Sequence, residues 1–226
     1  MFNNIRKHAF TLAEVLVTLG IIGVVSAMTI PSLTQSWQKQ AYVAQLKKTY
    51  SQLAQATATA IQNEEALSLD ESKYVGKEGG KEFLRKYLKI VNDCGTSYTP
   101  CFARKYRHIT GDDVRLNSLI IAVTTADGVS IAYVDEGYKF DGYWATDDYH
   151  GHIPLLIDIN GAKGPNVAGR DLFYLEVYSD GTVGESYSPD YSDSDVYRKQ
   201  SCVEGWSYPG VGCLKTIMNN GWTMDY

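Results

Sequence analysis

The most apolar stretch of the chain runs from Phe10 to Ile30 and carries a single charged residue, Glu14. As a helix, residues 10–30 would be about 31 Å long, which is close to the hydrocarbon thickness of a bilayer. Basic residues precede the stretch, at Arg6 and Lys7. The pattern therefore predicts a membrane-spanning helix at residues 10–30, preceded by a short polar segment at residues 1–9.

Beyond Pro31, apolar residues recur every three, four or six positions from Leu33 to Ile61. This spacing predicts an amphipathic helix over residues 31–65, with one face available to cover a sheet. Proline lacks a backbone donor and clashes with the carbonyl four residues earlier, so we expect Pro31 to kink one long helix. The alternative is that Pro31 ends the membrane helix.

From residue 66 onwards the pattern changes to short apolar runs separated by turns, with one more amphipathic helix expected at Lys81–Val91. The Asp-Gly pair at Asp127 and Gly128 lies between two such runs and is a hairpin signal. Ser68–Gly80 is interpreted as a polar connection. The fold class is α+β, with the long N-terminal helix packed on a mostly antiparallel sheet and residues 66–226 forming a globular domain. The expected strands are Leu119–Val123, Val129–Val134, Ile153–Ile159, Leu172–Tyr178 and Thr182–Val183.

Four cysteines form two local pairs, Cys94 with Cys101 and Cys202 with Cys213. The basic N-terminal flank places that end of the chain in the cytoplasm and the globular domain on the outer side of the membrane. Outer compartments are oxidising, so the pairs predict two disulfide loops. A single zinc ion is the alternative, although the spacings are wider than in the usual zinc knuckle.

The carboxylate of Glu14 needs an explanation, because it costs about 2.5–3.5 kcal/mol near the centre of a bilayer. A signal peptide cleaved after Ala27 does not need it, and neither does a simple anchor. A helix that packs against copies of itself could use it. If the chain were cut between Ala9 and Phe10, the new ammonium group of a neighbouring subunit could neutralise Glu14.

The run from Ala9 to Leu16, AFTLAEVL, resembles the prepilin processing motif of type IV pilins and type II secretion pseudopilins. The resemblance covers Arg6 to Leu33. It implies that a leader is removed before Phe10, that the Phe10 amine is methylated and that Glu14 is the fifth mature residue. Pro31 also matches a proline common in the family. The family usually has Gly before the cleavage site, where this chain has Ala9.

The resemblance implies a structural subunit of a bacterial filament rather than an enzyme. Its expected partners are homologous subunits, a prepilin peptidase and methyltransferase, and an inner-membrane assembly platform. The expected location is the bacterial inner membrane, crossed once, with the globular domain periplasmic or extracellular before it enters a filament. The alternative is a secreted or membrane-anchored extracytoplasmic binding protein or enzyme that uses residues 10–30 only for export.

The formal charge argues against binding of nucleic acid. The net charge is -5, and removal of residues 1–9 leaves 19 basic and 26 acidic side chains, or -7. No phosphate-binding glycine loop or nucleophile elbow is recognisable. We therefore expect no catalytic residues.

Calcium is the one cofactor expected for this chain. The resemblance suggests it, because some pseudopilins bind calcium in a loop. The segment 158–171 offers oxygen ligands of the kind calcium prefers, from Asp158, Asn160, Asn166 and Asp171. The alternative is a turn in which these side chains bond local backbone amides. A second set of polar residues could bind a transition metal: Asp147, Asp148, His150 and His152. Isolated sets of this kind are usually solvated loop residues, which is the interpretation we favour here.

Overall fold

The computed structural model describes residues 11–74, 76–116, 118–135, 152–185, 201–205 and 209–226. The chain divides into two compact units, Met1–Gln40 and Ala41–Tyr226, and we describe each by itself.

Helix α1 runs without interruption from Leu12 to Asn63, a length of 52 residues, and Pro31 lies inside it. The interpretation that Pro31 ends the membrane helix is therefore wrong, whereas a kink at this residue stays a prediction. The helix ends two residues before the expected position. Glu65 adopts a left-handed conformation with φ 52°, and the Ala66 N–H bonds back to the Ile61 carbonyl at 3.2 Å.

The second unit is a six-stranded antiparallel sheet with helices on one face. The strand order is β1-β4-β5-β6-β7-β8, and β2 pairs with β3 as a separate hairpin. The strands are β1 (Ile90–Gly95), β2 (Tyr106–Arg107), β3 (Asp113–Val114), β4 (Ser118–Thr125), β5 (Ser130–Asp135), β6 (Ile153–Asp158), β7 (Leu172–Val177) and β8 (Val183–Gly184). The shorter helices are a 3-10 turn (Leu69–Glu71), α2 (Gly76–Tyr87) and α3 (Cys213–Asn219).

The structure confirms the α+β class, and each of the five expected strands is present within one or two residues of its expected ends. The helix expected at Lys81–Val91 is wrong at both ends. It starts earlier because Gly79 and Gly80 lie inside α2, where their missing side chains allow contact with Tyr74 and Tyr133. It stops earlier because the β-branched pair Ile90 and Val91 pairs with β4 instead. The sequence interpretation also missed β1, the β2–β3 hairpin and α3.

Both faces of the sheet are covered. On one face, Val43, Leu46 and Leu53 of α1 join a large apolar core with side chains from the central strands. On the other face, Phe102 and Tyr106 belong to a smaller core that includes one disulfide. Strands β6 and β7 are therefore buried along their whole length, which explains their nearly continuous apolar sequence.

Candidate functional site at the start of the apolar helix

Thr11 and Glu14 close the N-terminal end of α1 through reciprocal hydrogen bonds. The backbone N–H and the hydroxyl of Thr11 each donate to Glu14 Oε2 at 2.8 Å. In return, the Glu14 N–H donates to Thr11 Oγ1 at 3.3 Å. This arrangement is a capping box, and it satisfies backbone donors that the start of a helix would otherwise leave unpaired.

Thr11 is a site residue that the sequence interpretation missed. Its signal is in the sequence, because Thr-x-x-Glu directly before an apolar run is the pattern of a capping box. The side chain of Glu14 remains exposed in this arrangement. The Glu14 carboxylate therefore has a partner within its own chain and is still accessible to a second one.

Ala9 and Phe10 lie outside the described residues. Cleavage between them, methylation of Phe10 and pairing of Glu14 with a neighbour's amine consequently stay predictions.

The large apolar side chains of residues 12–37 are exposed within the part of the chain that the structure describes. Their exposed fractions range from 43% at Val15 to 81% at Leu12. Soluble proteins rarely expose this much apolar surface, and such surfaces mark contact with a membrane or with other proteins. By length and composition, α1 is able to cross a membrane. The other members of this surface are Leu16, Val17, Leu19, Ile21, Ile22, Val24, Val25, Met28, Ile30, Leu33 and Trp37.

Hydroxyl groups near Pro31 are turned towards the helix backbone. Thr29 donates to the Val25 carbonyl at 3.0 Å, and Ser32 donates to the Thr29 carbonyl at 2.9 Å. Thr34 does the same with the Ile30 carbonyl at 2.8 Å. Polar side chains that bond within their own helix can enter an apolar environment without an unpaired donor.

The comparison with protein families agrees with this geometry. Residues 4–30 match the family described as the prokaryotic N-terminal methylation motif, which is the prepilin-type motif of pilins and pseudopilins. The resemblance expected from the sequence is thereby confirmed. No curated protein and no solved structure matches the chain.

The motif and the N-terminal apolar helix together support a membrane-anchored protein of the general type IV pilin-like or pseudopilin kind. The match covers only residues 4–30 and does not distinguish a pilus subunit from a secretion pseudopilin.

The second candidate site, the loop from Asp158 to Asp171, is a network of local hydrogen bonds around two buried carboxylates. Asp171 accepts the backbone N–H groups of Asn166 and Val167 at 2.7 and 2.6 Å. Asp158 accepts the Tyr106 hydroxyl at 2.5 Å and the Asn160 N–H at 3.1 Å. These bonds correspond to the turn that the sequence analysis gave as the alternative to calcium.

The electrostatics of this loop follow from burial. Loss of hydration raises the pKa of Asp158 to about 8, and the nearby Asp171 carboxylate adds to the increase. Burial likewise raises the pKa of Asp171, against the effect of the two backbone amides. Tyr106 was not singled out from the sequence, because a lone tyrosine between polar residues gives no signal of a buried partner.

The residues of the loop fit a cation only in part. The side-chain carbonyl oxygens of Asn160 and Asn166 are buried without a hydrogen-bond donor, and such oxygens are calcium ligands. However, no group of three or more His, Cys, Asp or Glu within the described residues could hold a metal ion. Calcium binding stays a prediction. Of the set Asp147, Asp148, His150 and His152, only His152 lies within the described residues.

The four cysteines form two disulfide bonds, Cys94 with Cys101 and Cys202 with Cys213. The sulfur atoms are therefore not available as a zinc site. Cys213 is the first residue of α3, so the second bond ties that helix to the segment at residue 202.

Glu185 is a second residue that holds the first turn of this helix. Its carboxylate accepts the Leu214 N–H at 2.7 Å and the Lys215 N–H at 3.2 Å. Burial raises the pKa of Glu185 to about 8, although the backbone amides, including that of Gly212, act in the opposite direction. No local sequence pattern reveals this contact, because 29 residues separate its partners.

Proposed function

We propose that this protein is a structural subunit, a pilin or pseudopilin, of a type IV pilus or a type II secretion filament. The observation that carries the proposal is the match of residues 4–30 to the N-terminal methylation motif. Two features of the described chain support it. Glu14 occupies an exposed position at the start of α1, and the apolar side chains of residues 12–37 are exposed among the described residues.

In this proposal a prepilin peptidase removes residues 1–9 and the Phe10 amine is methylated. The mature helix then stays in the inner membrane, with its amine towards the cytoplasm and the sheet domain outside, as the charges of Arg6 and Lys7 favour. Neither the peptidase nor the assembly platform is part of this chain. The subunit itself supplies no catalytic step.

Assembly would bring the Phe10 amine of one subunit to Glu14 of the next. In an apolar surrounding, an ammonium and a carboxylate stabilise each other strongly and fix the axial position of the two helices. The capping bonds from Thr11 keep the Glu14 carboxylate partly satisfied while the subunit is alone. A second partner can bind without a complete loss of these bonds, because a carboxylate accepts several donors.

The N-terminal peptide of the mature protein provides the first test. Its mass, measured from the native host, should correspond to a chain that begins with methylated Phe10. A chain that begins at Met28 would contradict the proposal. It would favour the alternative, an exported binding protein or enzyme without Glu14.

Two substitutions of Glu14 separate its charge from its capping role. Glu14→Ala removes both, whereas Glu14→Gln keeps the capping box, because Gln at this position also accepts the N-cap amide. If the charge pairs with a neighbour, both variants should insert in the membrane and lose about tenfold or more of assembled filament, as expected for loss of a partner to a charge. Normal filaments from Glu14→Gln would contradict the pairing.

A further inference from the structure

Exposed basic residues are concentrated in two segments of the second unit. Residues 104–115 contain four Lys or Arg and two Asp, and residues 159–170 contain two Lys or Arg and neither Asp nor Glu. Six basic and two acidic residues give the two segments a net charge of +4, in a protein with a net charge of -5. We call the six side chains the basic surface, and all of them are exposed: Arg104, Lys105, Arg107, Arg115, Lys163 and Arg170.

Backbone hydrogen bonds join the two segments. The Arg107 N–H donates to the Asn166 carbonyl at 3.0 Å, and the Ala168 N–H donates to the Arg107 carbonyl at 2.8 Å. Tyr106 is buried between Lys105 and Arg107, so the alternation along β2 turns both basic side chains outward. The β2–β3 hairpin and the loop before β7 therefore present their basic residues side by side.

Carboxylates of the described chain do not neutralise this surface. No ion pair within the described residues involves any of its six side chains. Asp112 and Asp113 are the only acidic residues of the two segments, and Asp112 accepts a hydrogen bond from a neighbouring hydroxyl. Asp158 and Asp171, which flank the loop, are buried and accept hydrogen bonds from a tyrosine and from backbone amides. The surface is therefore open to an external anion.

The basic surface lies at one particular end of the sheet. The antiparallel register places the β4–β5 turn and the β6–β7 loop at the same end. Lys48 of α1 forms an ion pair with Asp127 in the β4–β5 turn at 2.8 Å. The β7–β8 turn lies at the other end, where a Cβ added to Gly181 would be 2.9 Å from Ile61 Cδ1. Along the second unit, α1 thus runs from the end with the basic surface towards the opposite end.

The chain between the predicted membrane span and this end of the sheet is short. Tyr42 lies beside the β6–β7 loop, since burial raises the pKa of its hydroxyl and the Asp171 carboxylate adds to the increase. Helix α1 is continuous here, so residues 31–42 cover no more than about 18 Å. The headgroup layer takes up about 5–8 Å of that length, and long basic side chains reach towards it. The remaining gap is within the Debye length of about 8 Å at physiological ionic strength.

We propose that the basic surface binds anionic phospholipid headgroups of the membrane that the chain's own helix crosses. Bilayers that contain acidic lipids attract clusters of about four to eight basic residues near their surface, and this surface has six. The contact holds the sheet domain against the membrane before assembly. Removal of the helix from the membrane takes the domain away from the lipid and breaks the contact. The inference rests on the membrane-anchored state in the proposed function and does not require a filament.

Lysine labelling of the full chain in nanodiscs tests the contact. One set of discs contains phosphatidylcholine alone, and the other contains about one third phosphatidylglycerol. An amine reagent, followed by mass spectrometry, reports the accessibility of each lysine. We expect labelling of Lys105 and Lys163 to be about threefold lower in the anionic discs. The difference should disappear at about 1 M salt, where the Debye length is about 3 Å.

Lys73 is the internal control of this experiment. It contacts Glu64 at 3.6 Å, just beyond the last residue of α1. From Tyr42 to Glu64 the chain covers about 33 Å of helix, so Lys73 is remote from the basic surface. Its labelling should be the same in both kinds of disc. Equal labelling of Lys105 and Lys163 in both discs, or an equal decrease at Lys73, would overturn the proposal.

A pair of substitutions provides the second measurement. Arg104→Gln with Arg170→Gln removes two exposed charges of the surface and leaves its lysines as reporters. The protection of these lysines in anionic discs should fall at least about twofold. The matched control is Lys77→Gln with Lys81→Gln, which removes the same charge from the first half of α2. An equal fall in the two variants would contradict a contact through the basic surface.

The outcomes separate this inference from the proposed function. If the lysines are protected in anionic discs but native filaments do not contain the chain, the filament function fails and the lipid contact stands. If filaments contain the chain with methylated Phe10 but the discs show no protection, only the contact fails. Protection that is equal in neutral discs and persists at high salt would indicate a cover of protein, such as a second copy, and would overturn the proposal. Because the labelling uses the wild-type chain, poor folding of a variant does not affect it.

Discussion

Single polar residues in this protein have two kinds of partner, local and distant. Thr11 and Glu14 satisfy each other within one helical turn. Asp158 at the end of β6 and Tyr106 of the smaller core are 52 positions apart and meet in the interior. The local pair can be recognised in a sequence, because its spacing is fixed by the helix. The distant pair cannot, because its geometry exists only after the layers have packed.

The buried carboxylate of Asp158 should make the stability of the fold depend on pH. The pKa of Asp158 is raised from 3.8 to about 8 in the folded protein, mainly by burial. The folded state therefore holds this proton more tightly than the unfolded chain. Its contribution to stability is complete below pH 3.8 and is lost as the pH rises to about 8. Asp158→Asn removes this dependence, since Asn stays neutral.

Urea denaturation at pH 5 and pH 8 measures the effect. The free energy of unfolding of Asp158→Asn, relative to wild type, should be higher at pH 8 than at pH 5. Asp93→Asn serves as the control. Hydrogen bonding to the Gly95 amide and pairing with Arg85 lower the pKa of Asp93, so it is ionised in both folded and unfolded states across this range. The same relative change in both variants would show that Asp158 is not the cause.

At the scale of elements, α2 is defined by packing and not by helix propensity. Two adjacent glycines lie in its first half, where glycine costs up to about 1 kcal/mol per residue compared with alanine. They are tolerated because the helix approaches Tyr74 and Tyr133 more closely than any side chain would allow. The sequence pattern predicts a polar connection at Ser68–Gly80, because the glycines there disfavour a helix, whereas α2 starts at Gly76.

Gly80→Ala tests the role of this close approach. In an isolated helix the substitution would be stabilising. Here the new Cβ would lie 2.5 Å from Tyr133 Cε1, so we expect the free energy of unfolding to fall by about 1–3 kcal/mol, as for overpacked cores. The comparison is Gly23→Ala, where an added Cβ meets nothing within 4 Å. An unchanged melting temperature of Gly80→Ala would contradict the close approach.

The sequence was sufficient for the elements whose signal is local. Five strands, the long helix and both cysteine pairs follow from periodicity, turn residues and spacing. β1 was assigned partly to a helix, because Ile90 and Val91 continue the apolar spacing of α2 and the sheet decides their conformation. The two-residue strands β2 and β3 carry no periodicity at all. α3 contains only seven residues and depends on Glu185 and a disulfide for its first turn.

At the scale of the whole molecule, the two disulfides hold different parts of the second unit. The Cys94–Cys101 bond belongs to the smaller core with Phe102 and Tyr106, and the Cys202–Cys213 bond holds α3. Both close short loops, so each stabilises the fold by about 2–3 kcal/mol in the loop-entropy model.

Cys202→Ser with Cys213→Ser should therefore lower the free energy of unfolding by about 2–3 kcal/mol. Because Cys213 begins α3, we also expect a loss of helical signal in circular dichroism that Cys94→Ser with Cys101→Ser does not show. Chemical denaturation of the two variants in parallel measures both effects. An equal loss of helix in the two variants would show that α3 does not depend on its disulfide.

The position of α3 has a consequence for export. Its anchor points, Glu185 and Cys202, come earlier in the chain, and the hydroxyl of Tyr226 closes the same region by donating to the Gly169 carbonyl at 2.7 Å. A chain that crosses the membrane from its N-terminal side delivers residues 213–226 after all other elements. The contacts of α3 can then form only once this segment has arrived, and its disulfide only once Cys213 has been oxidised. If the chain is exported and assembled as proposed above, late completion of the fold would keep partly exported chains out of an assembly that recognises the finished surface.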